Sequence, residues 1–261
     1  MGRKVKHTNY RLLLMILVAG LMASLLSLRL FTPQLAQANI DSPFQPVPTA
    51  TLSETVILVS GDDHYAPFEF NENGQPTGFN IDLIRAVARQ MNLNIVIQLA
   101  PWGQARDDLE NGRVDILAGM YYSEDRAQQV NFSIPHTMVS SGLFVRQNSA
   151  IKSFEDIKDR AIIVQQGDLM DDYLQTRGEV GRIVYAVDPP SALRLLAAGE
   201  YDGVLLSSKI QGWYLSNKMG LNNLRVVKTP VEPQQYGFAV SKDNPQLLFQ
   251  LNEGLNILKS N

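Results

Sequence analysis

The chain has 261 residues, of which 45% are hydrophobic and 19% charged, and it contains no cysteine. Its 13 prolines and 18 glycines are an ordinary usage, so a collagenous, low-complexity or wholly disordered chain is excluded. The formal net charge of −3 argues against a nucleic-acid-binding surface, and the lack of cysteine excludes disulfides, thiolate metal sites and thiol nucleophiles.

The first 38 residues have the pattern of an export signal. Four basic residues between positions 3 and 11 precede the uncharged apolar run Leu12–Leu28, and the triplet 36–38 begins and ends with alanine. We expect cleavage after Ala38; because the apolar run has 17 residues, an uncleaved membrane anchor is the alternative. The remaining chain has 18 basic and 26 acidic side chains, which predicts an acidic protein outside the cytoplasm. Residues 39–54, which contain three prolines, are predicted to be an extended linker.

The first half of the remaining chain alternates between predicted strands and helices. Asn80 is expected to cap a helix whose apolar residues recur at helical spacing. The β-α-β-α-β order predicts a mostly parallel sheet with helices on its faces. The predicted strands are Val56–Val59, Leu93–Leu99 and Val114–Ala118, and a short helix covers Gln104–Glu110.

The second half repeats this alternation. Ser153, with Asp156 three residues later, predicts a short helix with a capping box, and Ser191 is expected to cap another helix. The predicted strands are Ala161–Val164, Ile183–Val187 and Asp202–Leu206, and the helices are Leu169–Arg177, Ala192–Ala198 and Pro245–Leu258.

One phrase occurs in both halves. Leu109-x-x-Gly112-x-x-Asp115 and Leu196-x-x-Gly199-x-x-Asp202 lie 87 residues apart, and each joins a helix end to a strand start. The repetition has two interpretations: common helix-to-strand turn chemistry, or two similar α/β lobes that face each other. Two such lobes would form a ligand cleft at the carboxyl ends of their strands.

Catalytic and metal-binding motifs are missing. The three histidines are scattered, and no nucleophile elbow, zinc-protease motif or phosphate loop occurs. A faint calcium-loop pattern that begins at Glu69 has Asn80 where the loop needs glutamate, so a hairpin turn at Asn73 and Gly74 is predicted instead. The sequence therefore predicts a protein that is not an enzyme and has no metal and no cofactor.

Two segments that follow predicted strands are candidates for ligand binding. Residues 61–70 place carboxylates and aromatic rings after the first strand. Arg126 lies about one helical turn beyond Ser123, where its guanidinium could grip a carboxylate beside a helix amino terminus. The alternative is a surface arginine that pairs with Glu124 or Asp125.

At this point the chain resembles a known family. In order and spacing, five motifs are similar to those of the family 3 extracellular solute-binding proteins, which serve polar amino acid uptake. The resemblance extends from Val56 to Leu258 and implies the type II periplasmic-binding-protein fold, in which two α/β lobes joined by two hinge crossings close on a ligand. The expected lobes are residues 55–143 with 236–261, and 144–235. The motifs are Pro67-Phe68-Glu69-Phe70 with Gly78-Phe79-Asn80-Ile81-Asp82-Leu83, Trp102, Gly112-x-x-Asp115, Ser123-Glu124-Asp125-Arg126 and Phe132-Ser133-x-Pro135.

The resemblance also implies roles for individual residues. Arg126 corresponds to the arginine that grips the ligand's carboxylate, and Asp62 to the first polar contact. The expected ligand-binding residues are Asp62, Tyr65, Trp102, Gly119, Tyr121, Arg126, Gln165, Gly167, Asp168 and Ser207.

Two departures from the family pattern affect the expected ligand. Ser207 stands where amino-acid-binding members usually have an aspartate for the ammonium group, and Tyr121 replaces a threonine that helps to hold the carboxylate. Because an ammonium group without a carboxylate opposite would be poorly paired, either Asp168 substitutes or the ligand is a carboxylate without an amine.

Three further segments resemble the variant that serves as sensory domains of histidine kinases and diguanylate cyclases. They are Ile134-Pro135-His136, Phe144-Val145-Arg146 and residues 164–170. We therefore expect a periplasmic monomer that binds a small polar carboxylate-bearing metabolite by lobe closure and delivers it to a membrane permease for ABC-type uptake. The alternative is the ligand-sensing ectodomain of a signalling receptor. A remote alternative is a cyclic-acid dehydratase, because a few relatives of this fold have that activity.

Overall fold

The computed structural model describes residues 55–178 and 180–260. The predicted export signal, 1–38, and the predicted linker, 39–54, lie outside the described residues. Within the described part, no helix has the length and apolar character needed to cross a membrane.

Short strands and helices alternate along the described chain. The strands are β1 (Ile57–Ser60), β2 (His64–Tyr65), β3 (Glu69–Glu72), β4 (Gln75–Thr77), β5 (Ile95–Ile97), β6 (Ile116–Tyr121), β7 (Val130–Phe132), β8 (Thr137–Val139), β9 (Gly142–Arg146), β10 (Ala161–Gln165), β11 (Arg182–Ala186), β12 (Gly203–Leu206), β13 (Leu224–Val227) and β14 (Gln234–Ser241). The helices are α1 (Phe79–Met91), α2 (Trp102–Glu110), α3 (Glu124–Gln129), α4 (Leu169–Arg177), α5 (Pro189–Ala198), α6 (Lys209–Lys218) and α7 (Pro245–Ser260), with a 3₁₀ helix at Phe154–Ile157.

The first lobe is built around a six-stranded sheet. Its main path runs β5-β1-β6-β14-β7, and β8 pairs with β14. β1 is parallel to β5 and β6, whereas β14 is antiparallel to β6. Helices cover both faces: α1 and α7 pack on Ile116 and Phe238, and α2 packs on Leu117 and Ala239. Successive residues of β6 and β14 therefore face opposite helices, which explains why these strands are apolar without alternation.

The second lobe is built around a five-stranded sheet in the order β11-β10-β12-β9-β13. β10 is parallel to β11 and β12, and β9 is antiparallel to β12 and β13. Ile163 and Val204 face α5 and α6, while Ile162 and Leu205 face α4. β8 belongs to the first sheet, β9 and β13 to the second, and β14 to the first again, so the chain crosses between the lobes twice.

The hairpin of β3 and β4 extends from the first lobe toward the second. Asn73 and Gly74 have positive φ angles of 52° and 77°, so the predicted turn at this pair is confirmed. Ala66 and Phe70, at the base of the hairpin, pack on the α5 and α6 cluster of the second lobe. This contact joins the first lobe to the second at the edge of the cleft.

Two of the three predicted helix caps are wrong. α1 begins after Gly78, and Asn80 is a buried helical residue whose Nδ2 donates to Glu69 Oε2 at 2.9 Å. α5 begins at Pro189 rather than at Ala192, because proline suits the first helical turn and Asp188 supplies the capping oxygen, which accepts the N–H of Ser191 at 2.6 Å. The capping box predicted at Ser153 is confirmed.

Candidate functional site

A narrow cavity lies between the lobes, at the carboxyl ends of β1, β6, β10 and β12. Of the predicted site residues, all except Gly167 line it, and the carbonyl oxygen of Gly167 contacts lining side chains. The folded chain therefore brings together residues that lie up to 145 positions apart in the sequence. The residues that line the cavity are Asp62, Tyr65, Glu69, Trp102, Gly119, Met120, Tyr121, Arg126, Gln165, Asp168, Leu169, Ser207 and Tyr236.

Arg126 is the cation of the cavity. Ser123 caps α3 by accepting the backbone N–H of Arg126 at 3.2 Å, which turns the arginine side chain inward, where it is 2% exposed. Its Nη2 donates to the Gly167 carbonyl at 3.2 Å and to Asp172 Oδ2 at 2.9 Å, so its ion-pair partner is neither of the two acidic neighbours considered from the sequence. Burial lowers the pKa of Arg126 from its usual value.

Part of this guanidinium is left without partners. Nε and Nη1 of Arg126 are buried and form no hydrogen bond within residues 55–178 and 180–260. They carry three of the five N–H groups of the side chain. A buried donor without a partner costs about 1–3 kcal/mol, so an acceptor that enters the cavity gains by satisfying these groups.

Trp102 forms the wall beside Arg126. Its ring centroid is 5.7 Å from the Arg126 guanidinium carbon, which allows a cation–π contact. Its Nε1 donates to the Gly167 carbonyl at 2.9 Å, and Arg106 Nη1 approaches the same oxygen at 3.4 Å. One carbonyl of the second lobe thus accepts from several donors of the first.

Two carboxylates flank the cavity, one from each lobe: Asp62 is buried and Asp168 is half-buried. Asp62 accepts the N–H of His64 at 2.9 Å and, across the cleft, Gln165 Nε2 at 2.9 Å. Asp168 caps α4 through Oδ1 and accepts Ser207 Oγ at 2.7 Å through Oδ2. Burial raises the pKa of Asp62 and that of Asp168 to about 6. A ligand cation near either carboxylate would therefore favour the ionised form of that carboxylate.

Aromatic rings form the floor of the cavity. The hydroxyls of Tyr65 and Tyr121 are 2.5 Å apart, and Tyr121 Oη donates to the Ser207 carbonyl at 2.9 Å across the cleft. The Tyr121 and Tyr236 rings lie at an edge-to-face angle, with centroids 4.7 Å apart. Burial raises the pKa of Tyr65, so its hydroxyl stays neutral and is available for hydrogen bonding.

The sequence analysis missed four lining residues: Glu69, Met120, Leu169 and Tyr236. Glu69 is fully buried, accepts the N–H of Asp62 at 3.0 Å, and has a pKa that burial raises to about 8. Tyr236 packs against Gly119 in the folded chain, where a Cβ on Gly119 would collide with Tyr236 Oη. Gly119 therefore has a packing reason to be glycine, whatever its contact with a ligand.

One cluster beside the cavity has the residue types of a metal site. Ligand atoms of Asp62, Asp63 and His64 lie within 4.8 Å of one another. Hydrogen bonds among these residues account for the cluster: Asp62 accepts the His64 N–H, and His64 Nδ1 lies 2.6 Å from Asp63 Oδ1.

Comparison with known proteins identifies the family. The family described as bacterial extracellular solute-binding proteins, family 3, matches residues 57–261. The chain belongs to this family. Its members are binding proteins rather than enzymes, and the type II periplasmic-binding-protein fold expected from the sequence is confirmed.

Three relatives illustrate the range of the family. A probable histidine-binding protein of Neisseria gonorrhoeae is 26% identical over 206 residues, which cover 77% of this chain and 76% of that protein. An ancestral arginine-binding protein, solved with bound glutamine, is 26% identical with a TM-score of 0.72, covering 79% of this chain and 92% of that one. A histidine kinase sensor domain with similarity to periplasmic binding proteins is 37% identical with a TM-score of 0.76, covering 79% and 91%.

Proposed function

We propose that this solute-binding protein binds a free amino acid in the cavity between its lobes. The observation that carries the proposal is Arg126, whose Nε and Nη1 are buried in the cavity with no partner among the described residues. A carboxylate is the ligand group that matches several guanidinium donors in a site that excludes water.

The acidic residues of the cavity support an amino acid over a carboxylate without an amine. Asp62 and Asp168 line the cavity from opposite lobes, so an ammonium group that enters it finds a carboxylate from each lobe. Ser207, which stands at the usual position of an aspartate, donates to Asp168. We infer that Asp168 takes the missing role, with Ser207 as its support. The relatives named for histidine or arginine, or solved with glutamine, fit this assignment.

Binding is proposed to close the lobes, which we assign to residues 55–143 with 236–261 and to 144–235. The bonds from Gln165 to Asp62 and from Tyr121 to the Ser207 carbonyl join opposite sides of the cavity. An amino acid held by Arg126 on one side and by Asp168 on the other stabilises the closed form alone, because only that form offers both contacts.

The experiment is a thermal-shift screen of the chain that lacks its predicted export signal. Each of the 20 proteinogenic amino acids is tested beside its carboxamide, which lacks the carboxylate, and its N-acetyl derivative, which lacks the ammonium. A ligand present at 100 times its Kd adds about 2.7 kcal/mol of stability, which is a shift of several degrees.

The derivatives separate the two halves of the proposal. We expect the free amino acid to stabilise the protein and both derivatives to fail. If the N-acetyl derivative is as effective as the parent, the role of Asp168 is wrong; if the carboxamide is as effective, the role of Arg126 is wrong.

We propose export to the periplasm and delivery of the amino acid to a membrane permease of the ABC type, as a monomer. A second candidate is the sensing ectodomain of a signalling receptor. It is favoured by 37% identity to a kinase sensor domain, against 26% to the histidine- and arginine-binding relatives. The gene decides between them: permease and ATPase genes beside it support uptake, whereas a coding region that continues into a kinase or cyclase supports sensing.

A further inference from the structure

Asp172 joins the two lobes at the buried cation of the cavity, Arg126. It lies on α4 of the second lobe, and its Oδ2 accepts Arg126 Nη2 of the first lobe at 2.9 Å. The two side chains differ in exposure, since Arg126 is 2% exposed and Asp172 is 48% exposed. Asp172 reaches the guanidinium from the solvent side of the cleft, and it does not line the cavity.

The contact occupies a particular nitrogen. A guanidinium offers a carboxylate two parallel pairs of N–H groups, Nε with Nη2 and Nη1 with Nη2, so each pair includes a hydrogen of Nη2. Nη2 has two hydrogens, and it already has two acceptors, Asp172 Oδ2 and the Gly167 carbonyl at 3.2 Å. A carboxylate that enters the cavity can meet Nε or Nη1 singly, but a two-bond grip requires one of these acceptors to leave.

We infer that Asp172 is an internal competitor for the carboxylate of the bound amino acid. In the protein without ligand it pairs with Arg126, holds the lobes together, and lowers the affinity for the incoming carboxylate. This inference rests on the proposed function, because it assigns a second carboxylate to the same arginine.

Of the two acceptors on Nη2, Asp172 is the one that can leave. The Gly167 carbonyl is fixed by the backbone and also accepts Trp102 Nε1 at 2.9 Å. The Asp172 side chain can rotate into water, because it is half-exposed. Exchange of one carboxylate for another keeps the charge around Arg126 constant, so the guanidinium is never buried without a counter-ion.

The first experiment needs no ligand. Small-angle scattering is recorded for the wild-type protein, for Asp172→Asn, and for Asp125→Asn as a matched control. Asp125 is an exposed acidic residue next to Arg126, and its carboxylate has no hydrogen bond or ion pair in the described part of the chain. We expect a larger radius of gyration for Asp172→Asn, because a buried guanidinium without its counter-ion favours the open form, and no change for Asp125→Asn. An unchanged radius for Asp172→Asn, with an unchanged melting curve, overturns the inference.

The second experiment measures competition by calorimetric titration with L-arginine and L-glutamine. We expect Asp172→Asn to bind about 3- to 10-fold more tightly than the wild type, near the lower end of the usual range of coupling between two sites. Asp125→Asn should bind like the wild type. Equal or weaker binding by Asp172→Asn overturns the inference. If neither amino acid binds any of the three proteins, the proposed function fails for these ligands, while the scattering result still decides whether Asp172 holds the lobes together.

Discussion

An aspartate with the same structural role precedes β6 in the first lobe and β12 in the second. Asp115 Oδ2 accepts the backbone N–H of Leu58 at 2.8 Å, and Asp202 Oδ2 accepts that of Ala161 at 2.9 Å. In both lobes the acceptor precedes one strand, β6 or β12, and the donor lies on the parallel strand beside it, β1 or β10. The repeated phrase of the sequence therefore corresponds to a repeated contact, in addition to the glycine turn before it.

The lobes differ where the following helix begins. Ser123 caps α3 and Ser208 caps α6, and in each case the hydroxyl accepts the N–H of the third residue beyond, which is buried. That residue is Arg126 in the first lobe and Gln211 in the second, whose Nε2 donates to the His64 carbonyl across the cleft at 3.3 Å. A shared scaffold thus places a cation in the cavity in the first lobe, and in the second an amide that bridges the lobes outside the cavity.

The largest expected effect comes from alanine at Arg126, and alanine at its counterpart Gln211 is the matched comparison. Arg126→Ala should weaken amino acid binding by at least ~2 kcal/mol, or about 30-fold, because a buried charge-assisted pair is lost. Gln211→Ala should cost less than ~1 kcal/mol, since it removes one neutral hydrogen bond outside the cavity. Both are measured by titration calorimetry with the amino acid identified in the thermal-shift screen.

The fluorescence of Trp102 checks that these variants keep the site intact. Its ring stands beside Arg126, so its environment changes when ligand enters; a Trp213→Phe background removes the contribution of the exposed Trp213. Equal losses of affinity in the two alanine variants would contradict the assignment of ligand binding to Arg126 rather than to its counterpart Gln211.

The second prediction concerns the two aspartates that the lobes share. Asp115→Ala and Asp202→Ala should each lower the free energy of unfolding by about 1–3 kcal/mol, because each leaves a backbone N–H without its charged acceptor. Urea denaturation measures both values, and Asp115→Asn and Asp202→Asn, which keep an oxygen acceptor, should recover part of the loss. A large effect in one lobe and none in the other would reduce the repeated phrase to turn chemistry.

The sequence predicts a local element well where separate signals mark both of its ends. Leu169–Arg177 is a helix with the predicted bounds, because an aspartate cap and a following glycine mark its ends. Asn80 does not cap its helix, because its side chain is buried and donates to Glu69. Ser191 does not cap its helix, because Asp188 and the prolines of the first turn start it earlier. Single capping residues are therefore weaker evidence than complete boundary patterns.

The cavity was predicted largely from the resemblance, and what was missed has a physical cause. Glu69 interacts with Asn80 and with the backbone of Asp62, contacts that only the tertiary fold creates. Asp172 lies on an exposed helix surface, where acidic residues are common, and its partner Arg126 is 46 residues away in the sequence. Composition and spacing carry no signal for such pairs.

The third prediction concerns the buried acid of the first lobe, Glu69. Its pKa rises from 4.5 to about 8 on folding, so the folded chain holds a proton that the unfolded chain has lost. The free energy of unfolding therefore falls as pH rises from about 4.5 to about 8. Asp62 and Asp168 add a fall that ends near pH 6, so the window between pH 6 and pH 8 separates Glu69 from them.

Glu69→Gln is the matched neutral variant for this test. Its amide retains an oxygen for the Asp62 N–H, and its NH₂ group replaces the oxygen that accepts Asn80 Nδ2. A half-turn of the Asn80 amide presents Oδ1 to that NH₂ group; Oδ1 has no partner within the described residues. Between pH 6 and pH 8 the variant should lose less stability than the wild type, by on the order of 1 kcal/mol or more. His64, whose pKa is also raised, contributes the same fall to both proteins and cancels in the difference. Parallel curves for the two proteins would mean that Glu69 is ionised throughout this range.

The smallest expected effect separates the two equivalent capping serines, Ser123 and Ser208. Either change to alanine removes a helix cap worth about 1 kcal/mol. Ser208 is fully buried, whereas Ser123 lies beside a solvent-exposed stretch of α3, where water can replace its hydroxyl. Ser208→Ala should therefore lower the midpoint of urea denaturation more than Ser123→Ala, and glycine at position 123 should restore most of the loss there. If Ser123→Ala is the more damaging change, the cap matters through the position of Arg126 rather than through helix stability, and that variant should then also lose affinity for the amino acid.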